Sequence, residues 1–200
     1  MAALSPITHL LYLHGFRSSP LSAKAQLMAK VMATQAPQVH WWCPQLPPSP
    51  KAAAALILQG TCDWPVATSA VMGSSLGGFY ATWLAAQRKF RAVLINPAVF
   101  PARDLAKHIG EQTTWQAPEE RFYFAPEFVA ELSALDVGAL EQPQRMLTFI
   151  AKGDEVLDWR EMCARYPHSQ QVVLEGGDHA LSDFEQHVPR VLQFLQLGSA

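Results

Sequence analysis

Six short apolar runs, each closed by turn-forming residues and set apart from the next by loops or stretches of helical composition, constrain the fold of this chain more than any other feature. The runs are Ile7 to Leu13, Val39 to Cys43, Val66 to Met72, Arg91 to Ile95, Met146 to Ala151 and Gln171 to Leu174. Nearly continuous apolarity over so short a length is what a strand buried on both faces requires. Between them, Ser22 to Thr34, Lys51 to Gln59, Gly77 to Arg88 and Trp159 to Tyr166 read as helices, rich in Ala, Leu, Met, Gln and Lys where packing leaves composition free. A last amphipathic helix, capped by Ser182 or Asp183, places Phe184, Val188, Val191, Leu192 and Leu195 on one face, with Pro189 a local irregularity. Strands alternating with helices predict an α/β fold: a doubly wound, mostly parallel sheet with helices on both faces.

Two stretches break the alternation. Pro44, Pro47, Pro48 and Pro50 deny the backbone the donors a ladder needs and force a loop. From about residue 98 to 144 the pattern loosens, prolines interrupt helical pieces, and Trp115, Phe122, Tyr123, Phe124 and Phe128 cluster. This segment is expected either as a short cap-like insertion or as packing against the outside of the sheet. No repeat or linker divides residues 1–200, so a single domain is expected.

The third run leads into Gly73-Ser74-Ser75-Leu76-Gly77, a G-x-S-x-G sequence with Ser75 at its centre. Only Ser75 fits; Ser74 would need glycine where Met72 stands. Such a motif arises by chance in about one chain in fifteen of this length, with Gly and Ser at roughly 7% each. Its context decides. A strand before, a helix after, and an acid and a histidine later in the chain make it a nucleophile elbow, the strained turn that lifts a serine hydroxyl off the sheet of an α/β-hydrolase fold.

In a doubly wound sheet, sites form where loops leave the carboxyl ends of the strands. Gly15-Phe16, Ser75, Asp154 and His179 all follow predicted strands, and the order Ser, Asp, His is that of an α/β-hydrolase triad. A serine hydroxyl needs a base in reach, and the base needs a partner that fixes its tautomer. His179, in a glycine-rich turn after the last strand, suits the base. His9 and His40 fall in or beside strands, His108 and His187 in helices, and His14 in the loop it shapes. Asp154 directly follows its strand and is preferred as the acid over Asp158, which stands at a helix start and can cap it. Backbone N–H groups of Leu76 and Phe16 are the expected oxyanion donors. Arg17 either faces the site, where it would attract an anionic part of the substrate, or is a solvated loop residue.

Composition narrows the alternatives. A formal charge of −2 gives no electrostatic reason to expect nucleic acid. No stretch approaches the roughly 18 uncharged apolar residues of a membrane span, and Met1 to Pro6 lacks the features of a signal peptide. A cytoplasmic protein without stable membrane insertion is expected. Cys43, Cys62 and Cys163 fit neither a disulfide framework nor a metal knuckle and read as reduced, mostly buried packing residues. The seven histidines show no paired spacing, so neither a metal nor a cofactor is expected.

Taken together, Tyr12-Leu13-His14-Gly15-Phe16-Arg17-Ser18-Ser19-Pro20, Pro44-Gln45-Leu46-Pro47-Pro48, Gly73 to Gly78, Asn96-Pro97-Ala98, Gly153 to Asp158 and Gly176-Gly177-Asp178-His179-Ala180 resemble the YqiA-like family of small bacterial esterases. The likeness runs from about residue 7 to 195. It implies a serine esterase acting on small-molecule acyl esters, with thioesters a further option, and carries the roles of nucleophile, acid and base onto Ser75, Asp154 and His179. Asp178 stands where many relatives have asparagine, and Leu181 where an aromatic is common. The competing expectations are a non-catalytic binding protein on the same fold, or a peptidase or acyltransferase using the same triad. The acyl group, the leaving group and the oligomeric state are not written in these motifs.

Overall fold

The computed structural model describes residues 5–197, so most of the stretch Met1 to Pro6 lies outside the described residues. Strands β1 (His9–Leu13), β2 (His40–Trp42), β3 (Ser69–Ser74) and β4 (Arg91–Ile95) form the first part of the sheet. After β4 come a two-stranded antiparallel hairpin of β5 (Gly110–Thr113) and β6 (Arg121–Phe124), then β7 (Met146–Ala151) and β8 (Gln170–Leu174). The main sheet has the order β2-β1-β3-β4-β7-β8 with every pair parallel.

Period-two alternation divides the strands' apolar side chains between two cores. Leu10, Tyr12, Ala70, Met72, Val93, Ile95, Leu147 and Phe149 pack on one face against helix α1 (Ala23–Gln35) and helix α7 (Val188–Leu195). Leu11, Leu13, Val71, Ala92 and Leu94 pack on the other against helices α2 (Pro50–Gly60) and α3 (Leu76–Arg88). Both faces are covered, which is why all five residues of β4 are buried. The chain leaves β1 toward β2 on one side and returns as β3 on the other, so the loops after β1 and β3 part at a topological switch point.

Several boundaries differ from the expectations. Val66 to Thr68 form a 3-10 turn and β3 begins at Ser69, because Ser69 is the residue that pairs with His9 at the start of β1. The last helix begins at Val188 after a 3-10 turn over Phe184–His187. Pro189 thus lies in its first turn, where its missing N–H costs nothing. Neither Ser182 nor Asp183 caps it. Asp183 makes no capping bond, and the Ser182 hydroxyl donates to Asp178 Oδ2 at 2.6 Å. The cysteines are less buried than expected, with Cys62 exposed and the other two half-buried.

Between β4 and β7 lie helix α4 (Pro101–Leu105), a 3-10 turn holding His108, the β5–β6 hairpin and helix α5 (Glu127–Ala134). The helical pieces expected there are present as α4 and α5, and the hairpin is an addition between them. Phe124 and Leu132 of this segment enter the α2–α3 core. Glu131 on α5 reaches the start of α2, where its Oε2 accepts from the Ser49 hydroxyl at 2.7 Å and from Lys51 N at 2.9 Å.

Candidate active site

Ser75 sits between β3 and α3 with φ 56° and ψ −121°, a conformation an L-residue adopts only when its surroundings impose it. Its N–H donates to Ile95 O at 3.0 Å, and its carbonyl accepts from Ala98 N at 3.0 Å and Gly78 N at 2.9 Å. The flanking glycines are forced by contact. A Cβ on Gly73 would strike the carbonyl of Gly77, and one on Gly77 would strike the carbonyl of Leu13. The elbow motif is therefore a packing requirement as well as a turn.

His179 Nε2 lies 2.9 Å from Ser75 Oγ, and its Nδ1 lies 2.8 Å from Asp154 Oδ2. Asp154 has a side chain with 0% exposure, and its Oδ1 accepts from Val156 N and Leu157 N, both at 2.8 Å. Those two bonds fix the carboxylate before the histidine meets it. Asp158 is placed elsewhere: its Oδ1 accepts from Arg160 N at 2.9 Å and caps helix α6 (Trp159–Arg165).

The turn carrying His179 is held from three sides. Asn96, fully buried at the end of β4 with φ 39°, donates from Nδ2 to the carbonyls of Asp178 (3.0 Å) and His179 (3.1 Å). Its Oδ1 accepts from Ala151 N at 2.8 Å. Glu155 Oε2 accepts the His179 N–H at 2.9 Å, and Lys24 Nζ donates to Ala180 O. Asp178 turns its carboxylate onto Ser182 N and Oγ, bonds that hold its pKa below the ordinary value. Leu181, with φ 47°, is fully buried in the α1–α7 core. Nothing local in the sequence marks Glu155 as a support of this turn, and the only signal for Asn96 is its place in Asn96-Pro97 at the end of a strand.

The loop after β1 lies against the elbow: a Cβ on Gly15 would stand 3.2 Å from Ser75 Cβ and 3.7 Å from Oγ. His14, buried, fixes this loop. Leu46 N can only donate, and it donates to His14 Nε2 at 3.0 Å, so the proton sits on Nδ1 and is given to Gly15 O at 3.0 Å. Burial keeps the His14 pKa below its ordinary value. Leu76 is the first residue of α3 and has no intrahelical acceptor for its N–H. Among the described residues neither that N–H nor the Phe16 N–H has a hydrogen-bond partner.

Residues 9–196 match the model of the uncharacterised protein family UPF0227. The chain belongs to this family. It is the YqiA-like group to which the sequence motifs point. One UPF0227 relative, protein YE1706 of Yersinia enterocolitica, is 26% identical over 133 residues, 66% of this chain and 67% of its own length. Solved structures resemble this UPF0227 chain in fold. Est1E from Butyrivibrio proteoclasticus, in a structure with ferulic acid bound, superposes with TM-score 0.71 at 12% identity over 96% of this chain and 89% of that one. Mouse alpha/beta hydrolase domain-containing protein 10 gives 0.68 at 15% over 96% and 92%. Pyrococcus furiosus esterase Pf2001 gives 0.62 at 15% over 97% and 83%. The fold of the UPF0227 chain is that of the α/β-hydrolases.

Beside the elbow of this UPF0227 protein opens a cleft of about 570 Å³, walled by the Pro-rich loop, α3 and the hairpin. Phe16 is its hinge with the hairpin, packing edge-on against Phe124 (5.3 Å) and Phe122 (5.9 Å) and tilted against His108 (5.6 Å). Arg17 faces the cleft and is latched to the hairpin rather than solvated. It donates to Thr113 O (2.7 Å) and Thr113 Oγ1 (2.8 Å) and lies 4.1 Å over the Trp115 ring. Among the described residues no three His, Cys, Asp or Glu side chains converge as a metal-binding group, and no helix is long and apolar enough to cross a membrane.

Proposed function

We propose that this UPF0227 protein is a serine esterase that hydrolyses acyl esters, thioesters included, through an acyl-enzyme on Ser75. The observation that carries the reading is the chain of contacts from Asp154 Oδ2 through His179 Nδ1 and Nε2 to Ser75 Oγ, at 2.8 and 2.9 Å. Asp154 accepts from Nδ1–H and leaves Nε2 unprotonated, so Nε2 can take the Ser75 proton as Oγ attacks the acyl carbon. The N–H groups of Leu76 and Phe16 receive the oxyanion. When the tetrahedral intermediate collapses, the bond to the leaving oxygen or sulfur breaks and Nε2–H protonates it. Water, deprotonated by the same nitrogen, then attacks the acyl-enzyme and regenerates Ser75 with release of the free acid.

In this reading the chain is one domain in which residues 98–144 cap the cleft, tied down by Phe16, Arg17 and Glu131. A fluorophosphonate probe should label the protein at Ser75, and p-nitrophenyl acetate turnover should vanish in Ser75→Ala. An unlabelled wild type, or full turnover by Ser75→Ala, sinks the proposal.

A further inference from the structure

The cleft beside the elbow has a direction. Its walls include Gly15, Phe16 and Leu76, the residues around the oxyanion position, but neither Ser75 nor His179. In the esterase reading, on which this inference rests, His179 Nε2 protonates the leaving group, so the leaving group lies on the His179 side. The acyl substituent, on the other side of the reacting carbon, points into the cleft. Leu46, Leu56, Leu76 and Phe122 give that cleft apolar walls, and about 570 Å³ is within the range of a small-molecule site.

Tyr80 adds a chemical requirement. It stands one helical turn, about 6 Å, beyond Leu76 on the same face of α3, and side chains on a helix lean back toward its start. The residue is 2% exposed and lines the cleft, yet its hydroxyl has no hydrogen-bond partner among the described residues. Burial with Glu131 nearby raises its pKa, so the phenol is a standing donor. Several other polar groups of the lining are engaged within the protein: both His14 nitrogens with Leu46 N and Gly15 O, Arg17 Nε and Nη2 with Thr113, the Gln45 amide nitrogen with Leu46 O, and Thr114 Oγ1 with Ala117 O. The hydroxyl oxygen itself is not sealed off from solvent, so a ligand oxygen entering the cleft can replace water on it, and a hydrogen bond gained in so apolar a site favours the ligand that can make it.

We infer that the cleft is the acyl-binding site, and that Tyr80 selects an apolar acyl group, aromatic or of medium chain length, bearing a hydrogen-bonding oxygen remote from the ester carbonyl. The probes are methyl 3-phenylpropionate and methyl 3-(4-hydroxyphenyl)propionate, which differ by one such oxygen, with acid release followed by chromatography. The wild type should favour the hydroxylated ester in kcat/KM by about five- to tenfold, and Tyr80→Phe should bring that ratio to about one. Direct binding of the two free acids to Ser75→Ala, measured by calorimetry with and without Tyr80→Phe, reads the cleft whether or not the protein hydrolyses esters. Loss of the phenolic preference on adding Tyr80→Phe supports the site. Equal binding of the two acids, or a preference that survives Tyr80→Phe, overturns it. Intact phenolic preference in binding with no Ser75 labelling would sink the esterase reading alone.

Discussion

Asn96 Nδ2 donates to the carbonyl of His179 at 3.1 Å, so a residue at the end of β4 holds the turn that carries the imidazole at the end of the sheet. The same side chain ties the carbonyl of Asp178 and the N–H of Ala151, and thus joins the loops after β4, β7 and β8. Its fully buried amide has partners on both ends. Asn96→Ala should lower kcat on a p-nitrophenyl ester by about 10- to 100-fold with KM little changed, because a small displacement of the base is expensive in rate. It should also cost about 1–3 kcal/mol of stability through the unpaired Ala151 N–H. Steady-state kinetics and thermal unfolding check both parts. Wild-type kcat in a folded Asn96→Ala protein would show that the turn holds itself.

Asp154 and Asp158 separate cleanly by mutation. Asp154→Asn should reduce kcat by on the order of 10⁴, the amide no longer specifying the tautomer that leaves Nε2 free. Asp158→Asn should leave activity near wild type, since asparagine also caps helices, and Asp158→Ala should cost about 1 kcal/mol of stability alone. The reverse pattern in the same assay would move the acid to 158.

Ser75 pays for its position with backbone strain at φ 56°. Ser75→Gly should therefore raise stability by about 1–2 kcal/mol over Ser75→Ala, both being inactive, because only glycine relaxes in that region. Denaturant unfolding of the two variants measures the difference, and equal stability would deny the strain.

His14 makes the fold sensitive to acid. Its folded pKa lies below the ordinary 6.5, so the unfolded chain binds the extra proton first, and the stability from the neutral ring is present above about pH 6.5 and lost as pH falls below it. Protonated Nε2 can no longer accept from Leu46 N. Thermal unfolding from pH 8 to 5 should fall more steeply for the wild type than for His14→Gln, which does not titrate. Parallel curves would assign the acid sensitivity elsewhere.

The fold was legible because it is written in short-range patterns. The strands β1, β4, β7 and β8 are apolar runs bounded by turn residues, whereas β3 is shifted from the run Val66 to Met72 at both ends, starting where Ser69 pairs with His9 and running on to Ser74 beside Ile95. The β5–β6 hairpin escaped notice because Gly110–Thr113 carries little β-type apolarity and owes its place to Arg17, Phe16 and its partner strand. Likewise Pro189 reads as an irregularity inside a helix when the sequence is taken alone, whereas the 3-10 turn over Phe184–His187 makes it a first-turn residue of a helix that begins at Val188.

By itself the sequence determined the layered α/β architecture, the elbow at Ser75 and the strand-end loops in which Asp154 and His179 lie, since alternation and turn chemistry act over a few residues. Only the tertiary structure decided which of two aspartates meets His179, that Asn96 and Glu155 hold its turn, that Arg17 is a latch and that Tyr80 stands unpaired in the cleft. Those facts depend on contacts between residues 24 to 96 positions apart, such as Glu155 with His179 and Arg17 with Thr113, and no local pattern encodes a distance across a sheet.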